Sequence, residues 1–267
     1  MTRLVILIAT VATATLGAVP PSNWQTTLTR NPPGEFTELR PLRAIYHFGW
    51  SGLTAAIGEA HFTHLPGDRL QLEATGRTIG IARALWRYDV NYKAIDNERT
   101  LLPIETTQDE TIRSKKVSTR LTFTSTGVTR TRSDNNSTPL SKDFVFSHLY
   151  DLSAAGFYLR SQLLQDHDVY RVVVYPTTSP YLATITVLGR EKINVRSGSY
   201  SAIKMDLQLS KIDKDLQLQP HKKFRKATIW LSDDADRIPL RIEAQIFVGT
   251  VFAELQSVKF DNHEPAR

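Results

Sequence analysis

Carboxylates, histidines and serines are the side chains through which this chain could do chemistry, and three places bring them close together. The run from Trp230 to Pro239 puts Asp233, Asp234 and Asp236 beside Ser232. Two carboxyl groups work as acid and base only when both face one cavity and their pKa values are driven apart. Here the run lies between an apolar strand end, Trp230-Leu231, and Pro239. Asp and Ser favour turns because their side chains bond nearby backbone amides, and a proline can open the next strand. The run reads as a turn. His61 and His64, with Glu59, suggest a metal. On a strand, residues three apart point to opposite faces, so only His61 and Glu59 share one, and two ligands do not make a site. Ser147-His148 has no evident carboxylate partner. The sequence contains no Gly-x-Ser-x-Gly elbow, phosphate-binding glycine loop or His-Glu-x-x-His run. The expectation is a protein with no catalytic residues, no metal and no cofactor.

These residues sit in a chain of 267 residues, 41% hydrophobic, with a net charge of +6. That is enough to bury a real core. The first residues carry one Arg, an apolar run from Leu4 to about Ala12, then small residues ending at Ala14 or Ala18. The run is shorter than the roughly 20 apolar residues that span a bilayer, and it reads as a cleavable signal peptide. A periplasmic location follows, which removes nucleic acid as a partner and turns the basic balance toward an anionic membrane or cell-wall surface. There is no cysteine, so disulfides, thiol catalysis and a lipidated N-terminal Cys are excluded.

The expected organisation is a signal peptide over 1–18, a flexible extension over 19–41, a single β-rich domain over 42–260 and a tail over 261–267. Within the domain the hydrophobic period is two almost everywhere, giving roughly a dozen strands. Ser51-Gly52 joins a hairpin. Trp86, Tyr88, Val90, Tyr92 and Ala94 share one face of a strand. Val169 to Tyr175 is apolar on both faces and is expected to be central. One segment breaks the period: Leu149, Leu152, Gly156, Leu159 and Leu163 recur at spacings of three and four, which predicts a helix over 147–165, capped by Ser147 or Asp151 and held by Leu152, Leu159 and Leu163. The fold class is mainly β, a large curved antiparallel sheet or half-open barrel with this helix on its concave face. In the last hairpin Gly249-Thr250 is expected to be the turn, which places Val248 opposite Val251, Ile246 opposite Ala253 and Phe247 opposite Phe252.

Several stretches carry a family resemblance. The Trp-Leu-Ser-Asp-Asp run, then Pro239 to Ala244 (PLRIEA), Phe247-Val248-Gly249 and Ala253-Glu254-Leu255, resemble the C-terminal signature of domain of unknown function 3108, a family of exported bacterial proteins. The opening hairpin from Arg43 to Phe62, the segment from Asp151 to Arg160 and the run from Thr186 to Asp206 look like it too. The resemblance covers about Leu42 to Phe260. It implies a periplasmic setting and carries no catalytic residues, and lipoprotein-carrier half-barrels are an analogy at the level of fold.

The first functional expectation is a non-enzymatic cell-envelope protein that binds a lipid or acylated component between sheet and helix. Tyr46, Phe48, Trp50, Trp86, Tyr88, Tyr92 and Leu159 are the candidate groove residues. An anionic surface would meet Lys222, Lys223, Arg225 and Lys226, with Phe247 and Phe252 at the hairpin tip; a second basic cluster runs from Arg113 to Arg120. The alternatives are an interaction module with a filled core that docks to an envelope protein, and an uncharacterised hydrolase with a dispersed triad. The oligomeric state is open.

Overall fold

The computed structural model describes residues 23–34, 39–135, 137–220, 224–246 and 249–261. The signal peptide, Lys222, Lys223 and Phe247 lie outside them. Alternating residues build a first meander: β1 (Leu42–Trp50), β2 (Leu53–Leu65), β3 (Arg69–Thr78), β4 (Tyr88–Asn97), β5 (Pro103–Ile112), β6 (Lys115–Thr124), β7 (Gly127–Asp134) and β8 (Leu140–Val145). A short helix, α1 (Gly80–Leu85), interrupts it between β3 and β4. After β9 (Leu149–Tyr150) and α2 (Leu152–Ser161), a second meander comprises β10 (Val169–Val174), β11 (Tyr181–Val195), β12 (Gly198–Ile212), β13 (Leu218–Pro220), β14 (Phe224–Ser232), β15 (Pro239–Ile246) and β16 (Gly249–Phe260). The two meanders join where β16 pairs with β1, giving one open sheet that runs from β8 at one edge to β9 at the other, with β13 attached to β12.

Backbone pairing does not close this sheet; side chains do. Leu121 and Val128 from one end meet Val173, Leu182 and Ile212 from the other, and Trp24 fills the seam. The Trp24 ring stacks on Phe146 at 5.6 Å and its Nε1 donates to Leu216 O at 2.9 Å. Residues 23–34 are therefore not the loose extension that their Pro-Thr-Asn composition suggests. Thr29 exchanges two bonds with the backbone of Arg171, and Asn31 O accepts from the Tyr158 hydroxyl. The same docking corrects the reading of β10. It lies beside the terminal strand β9, not at the centre, yet it is covered twice: Tyr170, Val172 and Val174 face the main core with α2, and Val173 faces the Trp24 seam.

The helix is shorter than its leucine spacing predicts and buries a different stripe. Leu149-Tyr150 pairs with Val173-Val174 as β9, so the helix starts only after Asp151, whose side chain accepts from Ala154 N at 2.7 Å. Ser147-His148 accordingly lies before β9 and starts no helix. Ala154, Phe157, Tyr158 and Ser161 are buried, while Leu152 and Leu163 are 56% and 58% exposed. Leu159 packs partly against the core.

Two turns test the hairpin readings. Ser51 and Gly52 both have positive φ (46° and 87°), as a two-residue type I′ turn requires, and Trp50 pairs with Leu53. In the last hairpin Ile246 pairs with Gly249 and Gln245 with Thr250, so Gly249-Thr250 is inside the strand and the expected register is displaced. The displacement is even, so every side chain keeps its face. It brings Arg241 opposite Glu254, with an ion pair at 3.3 Å, and it places Phe252 opposite Glu243 instead of Phe247. The Phe252 ring lies over the backbone of Gly49, where any Cβ would come within 2.3 Å of it.

Candidate functional site

Helix α2 crosses the concave face and leaves a groove along each flank. The larger, about 300 Å3, runs between α2 and strands β1, β2, β15 and β16. Its floor is Ala44, Tyr46, Phe48, Phe62 and Leu72, the inward set of two alternating strands and their neighbour. Its other wall is Leu152, Gly156, Phe157 and Arg160, spaced so that they share one face of the helix. The smaller, about 190 Å3, lies on the other flank between Leu159 and strands β10 to β12. Gly156 lines both grooves, and a Cβ built on it would meet nothing within 4 Å. The core beneath the helix is packed, with Phe62 on Phe157 at 4.8 Å, but both flanks are open.

The sequence candidates separate on this surface. Tyr46 and Phe48 line the larger groove and Leu159 the smaller. The Tyr46 hydroxyl donates to Pro239 O at 2.9 Å, and burial pushes its pKa up. Tyr92 shares the concave face farther round, with its hydroxyl 3.4 Å from Asp151. Tyr88 donates to Glu110 at 2.7 Å. Trp86 is not on the strand: it follows α1, is 49% exposed and stacks under the Arg113 guanidinium at 4.4 Å. Trp50 is exposed beside the Ser51-Gly52 turn. Of the basic candidates, Lys226 pairs with Asp206 at 3.2 Å.

The aspartate run behaves as a turn. Asp234 Oδ1 accepts from Ser232 Oγ and from the amides of Asp236 and Arg237, and Ser232 Oγ accepts from Ile238 N. Asp236 is held by Arg40. The turn also delivers something its composition hides. Arg237 is only 2% exposed and reaches the end of α2, where it donates to the carbonyls of Arg160, Gln162 and Leu163. His61 and His64 go to separate partners, Asp261 at 3.1 Å and Glu98 at 2.9 Å. No group of three metal-ligating side chains occurs among the described residues.

A buried carboxyl pair, unmarked by any motif, lies under the start of α2. Asp151 accepts from Thr106 Oγ1 as well as from Ala154 N, and Asp96 Oδ2 accepts from Ser153 Oγ at 2.6 Å. Burial first, and then the neighbouring Asp151, push the Asp96 pKa up to about 8. Burial also raises Asp151, against its hydrogen bonds. Neither residue lines a groove and both are fully covered, so the pair anchors the helix and presents nothing to a substrate. Its signal was available: Asp96 continues the inward alternation of Tyr92 and Ala94.

A second surface feature stands at the rim where the groove opens past Phe48. Helix α1 contacts β2 beside the Ser51-Gly52 turn, through Ile79 N bonded to Ala55 O. Ile81 and Leu85 are 80% and 73% exposed, and Leu53 and Trp50 at the Ser51-Gly52 turn are exposed as well. Arg83 and Arg87 of this rim pair with Asp89, and Lys115 with Asp134.

An open, strongly curved antiparallel sheet with a helix on its concave face defines the class as β-barrel-like. The chain belongs to the family described as "Protein of unknown function (DUF3108)", which matches residues 45–256. It is similar in fold to the beta-barrel-like protein of domain of unknown function DUF1849 from Brucella abortus, with a TM-score of 0.59 and 11% identity over 85% of this chain and 100% of that one. Weaker likenesses, too distant to carry argument, are to a structure provisionally described as a lipoprotein from Parabacteroides distasonis (TM-score 0.35, 8% identity, 86% of this chain and 100% of that one) and to one provisionally described as an exported protein with a YmcC-like fold from Bacteroides fragilis (TM-score 0.31, 10% identity, 84% and 98%). No curated protein matches the sequence.

Proposed function

We propose that the chain is a non-enzymatic protein of the cell envelope that holds a lipid or an acylated component in the larger groove beside α2. The observation that carries this is the groove: about 300 Å3, almost wholly apolar, with Phe48, Ile242 and Leu152 left exposed on its lips. Exposed apolar side chains gathered along one concavity mark a binding surface. The leader read in the first residues supports a periplasmic setting, since it is the pattern that routes a chain for export. Gly156 supplies the test. Nothing opposes a side chain there, and a helix gains about 0.5–1 kcal/mol when Gly gives way to Ala. Gly156→Ala is expected to raise the melting temperature, and Gly156→Phe to fill the groove at little cost in stability. Native mass spectrometry of protein purified from membrane-containing extract should then show bound lipid on the wild type and none on Gly156→Phe. A wild type that carries no lipid and takes up none from mixed micelles would sink the reading.

A specific surface favours contact with an anionic lipid surface as the way the groove is loaded. Ile81, Leu85, Trp86 and Leu53 are exposed in and around α1, which is bonded to β2 through Ile79, and Arg113 lies over Trp86 while Arg77 pairs in register with Asp89 at the start of β4. Tryptophan and apolar residues settle at the membrane interface, and each basic residue adds about 1 kcal/mol near an anionic surface. The double change Ile81→Ser and Leu85→Ser touches exposed side chains only, so the fold should be unchanged while sedimentation with phosphatidylglycerol vesicles falls at least about tenfold. Equal sedimentation of the two proteins would remove this surface from the account.

A further inference from the structure

The larger groove contains one charge, Arg160, that no carboxylate among the described residues pairs with directly. Arg160, in the last turn of α2, is only 7% exposed and forms part of the groove wall with Phe157, Ile238 and Pro239. Its Nη2 donates to the backbone oxygen of Asp236 at 2.7 Å, and the guanidinium leans on the Phe157 ring at 5.8 Å. Its Nε–H is covered and has no partner. No carboxylate lies within ion-pair distance of it among the described residues; the nearby Asp236 carboxylate is engaged by Arg40 at 2.5 Å. Burial pulls its pKa down to about 10, which leaves it cationic at neutral pH. Arginine is rarely buried without an anion, because an uncompensated charge in a poorly solvated place is expensive. The other arginines close by are better compensated: Arg237 donates to three carbonyls at the end of α2, and Arg241, which also borders the groove, pairs with Glu243 and Glu254.

We propose that Arg160 is the head-group anchor of the groove: the ligand is an acyl chain ending in anionic oxygens, a carboxylate or a phosphate, which pair with this guanidinium while the chain lies along Tyr46, Phe48 and Phe62. This rests on the groove reading and sharpens it from apolar ligands in general to anionic amphiphiles. A planar guanidinium matches the geometry of both oxyanions. The carboxylate would come from a free fatty acid and the phosphate from a phospholipid.

Binding of four probes by tryptophan fluorescence and competition separates the outcomes: palmitate, hexadecanol, palmitoyl-lysophosphatidylglycerol and monopalmitoylglycerol. The wild type should bind at least one anionic probe about tenfold or more tightly than its neutral counterpart. Preference for palmitate assigns a fatty acid, and preference for the lysophospholipid assigns a phospholipid. Arg160→Gln should lose the preference of the anionic over the neutral probe, read as the ratio of the two affinities in the same variant, and Arg160→Lys should recover part of it. If Arg160→Gln does not fold, the wild-type ratio of acid to alcohol decides alone. Equal binding of charged and neutral probes by the wild type, or a preference that survives in Arg160→Gln, overturns the anchor and leaves the groove reading standing. Failure of all four to bind removes both.

Discussion

Replacing Arg237 with Met is expected to lower stability by about 3–5 kcal/mol, because three carbonyl acceptors lose their donor at once. The last carbonyls of a helix have no partner within it and carry its negative pole. At the end of α2 the carbonyls of Arg160, in its last turn, and of Gln162 and Leu163, just past it, all turn to one guanidinium that is almost wholly buried. Methionine fills the volume but donates nothing, so two buried acceptors and one part-buried acceptor are left empty, each at a cost of about 1–3 kcal/mol less whatever water can reach. Arg237→Lys should recover only a minor part, because a single ammonium cannot span three carbonyls. Urea melts check this. A loss below about 1 kcal/mol would mean that α2 is held by Asp151 and its buried face alone. The groove wall should loosen with the helix, so lipid retention should fall together with the midpoint.

The contrast between Arg237 and the leucines of α2 shows what one sequence can and cannot reveal. Period-two alternation made the sheet and its concave helix legible, because a strand with one covered face must alternate. It also placed Tyr46 and Phe48 on the face beneath the helix, while the spacing of three and four placed Leu159 on the helix itself. The stripe of Leu152, Gly156, Leu159 and Leu163 differs from the buried one for a physical reason: the helix borders two open grooves, so Leu152 and Leu159 stand at their lips, Leu163 falls past the helix end, and the buried contact goes to Ala154, Phe157, Tyr158 and Ser161. Spacing tells which residues share a face and says nothing about whether that face is covered. Arg237 and Arg160 were invisible because a buried arginine and a solvated one look alike in sequence; only the position of distant carbonyls distinguishes them. Trp86 was taken into the strand because alternation runs on through it, whereas the chain turns into α1 just before. Asp96 was within reach, had the inward alternation been followed one step past Ala94.

That aspartate carries the second large effect, in the pH dependence of folding. Asp96 and Asp151 lie together in the core, with Ser153, Thr106 and Tyr92 as their polar company and no cation among their bonded partners. The native protein holds the Asp96 proton until about pH 8, whereas an exposed aspartate loses it near 3.8. Between those values the folded state binds more protons than the unfolded one, so this group makes stability fall as pH rises, and the fall ends above about pH 8. A displacement of that size corresponds to roughly 6 kcal/mol over the full range. Asp96→Asn is neutral at every pH, matches the protonated acid in shape and keeps an oxygen for Ser153. Near pH 4 the variant and the wild type should therefore melt alike. By pH 8 the variant should be more stable by several kcal/mol, and the difference should stop growing beyond that. Subtracting one curve from the other cancels the exposed carboxylates, such as Asp89, whose pKa Arg83 and Arg87 hold down and whose contribution is lost only in acid. The helix gives the same test a local reading. Asp151 caps α2 and Ser153 ties its first turn to Asp96, so ionising Asp96 beside Asp151 should loosen the groove's own wall. Amide exchange in residues 152–156 should quicken in the wild type above pH 8, relative to β-strands exchanging at the same pH, and stay slow in Asp96→Asn. A variant that is less stable than the wild type at pH 8 would show that the Asp96 carboxylate is ionised and stabilised in the native protein, and that the buried pair is a charged anchor instead of a neutral one.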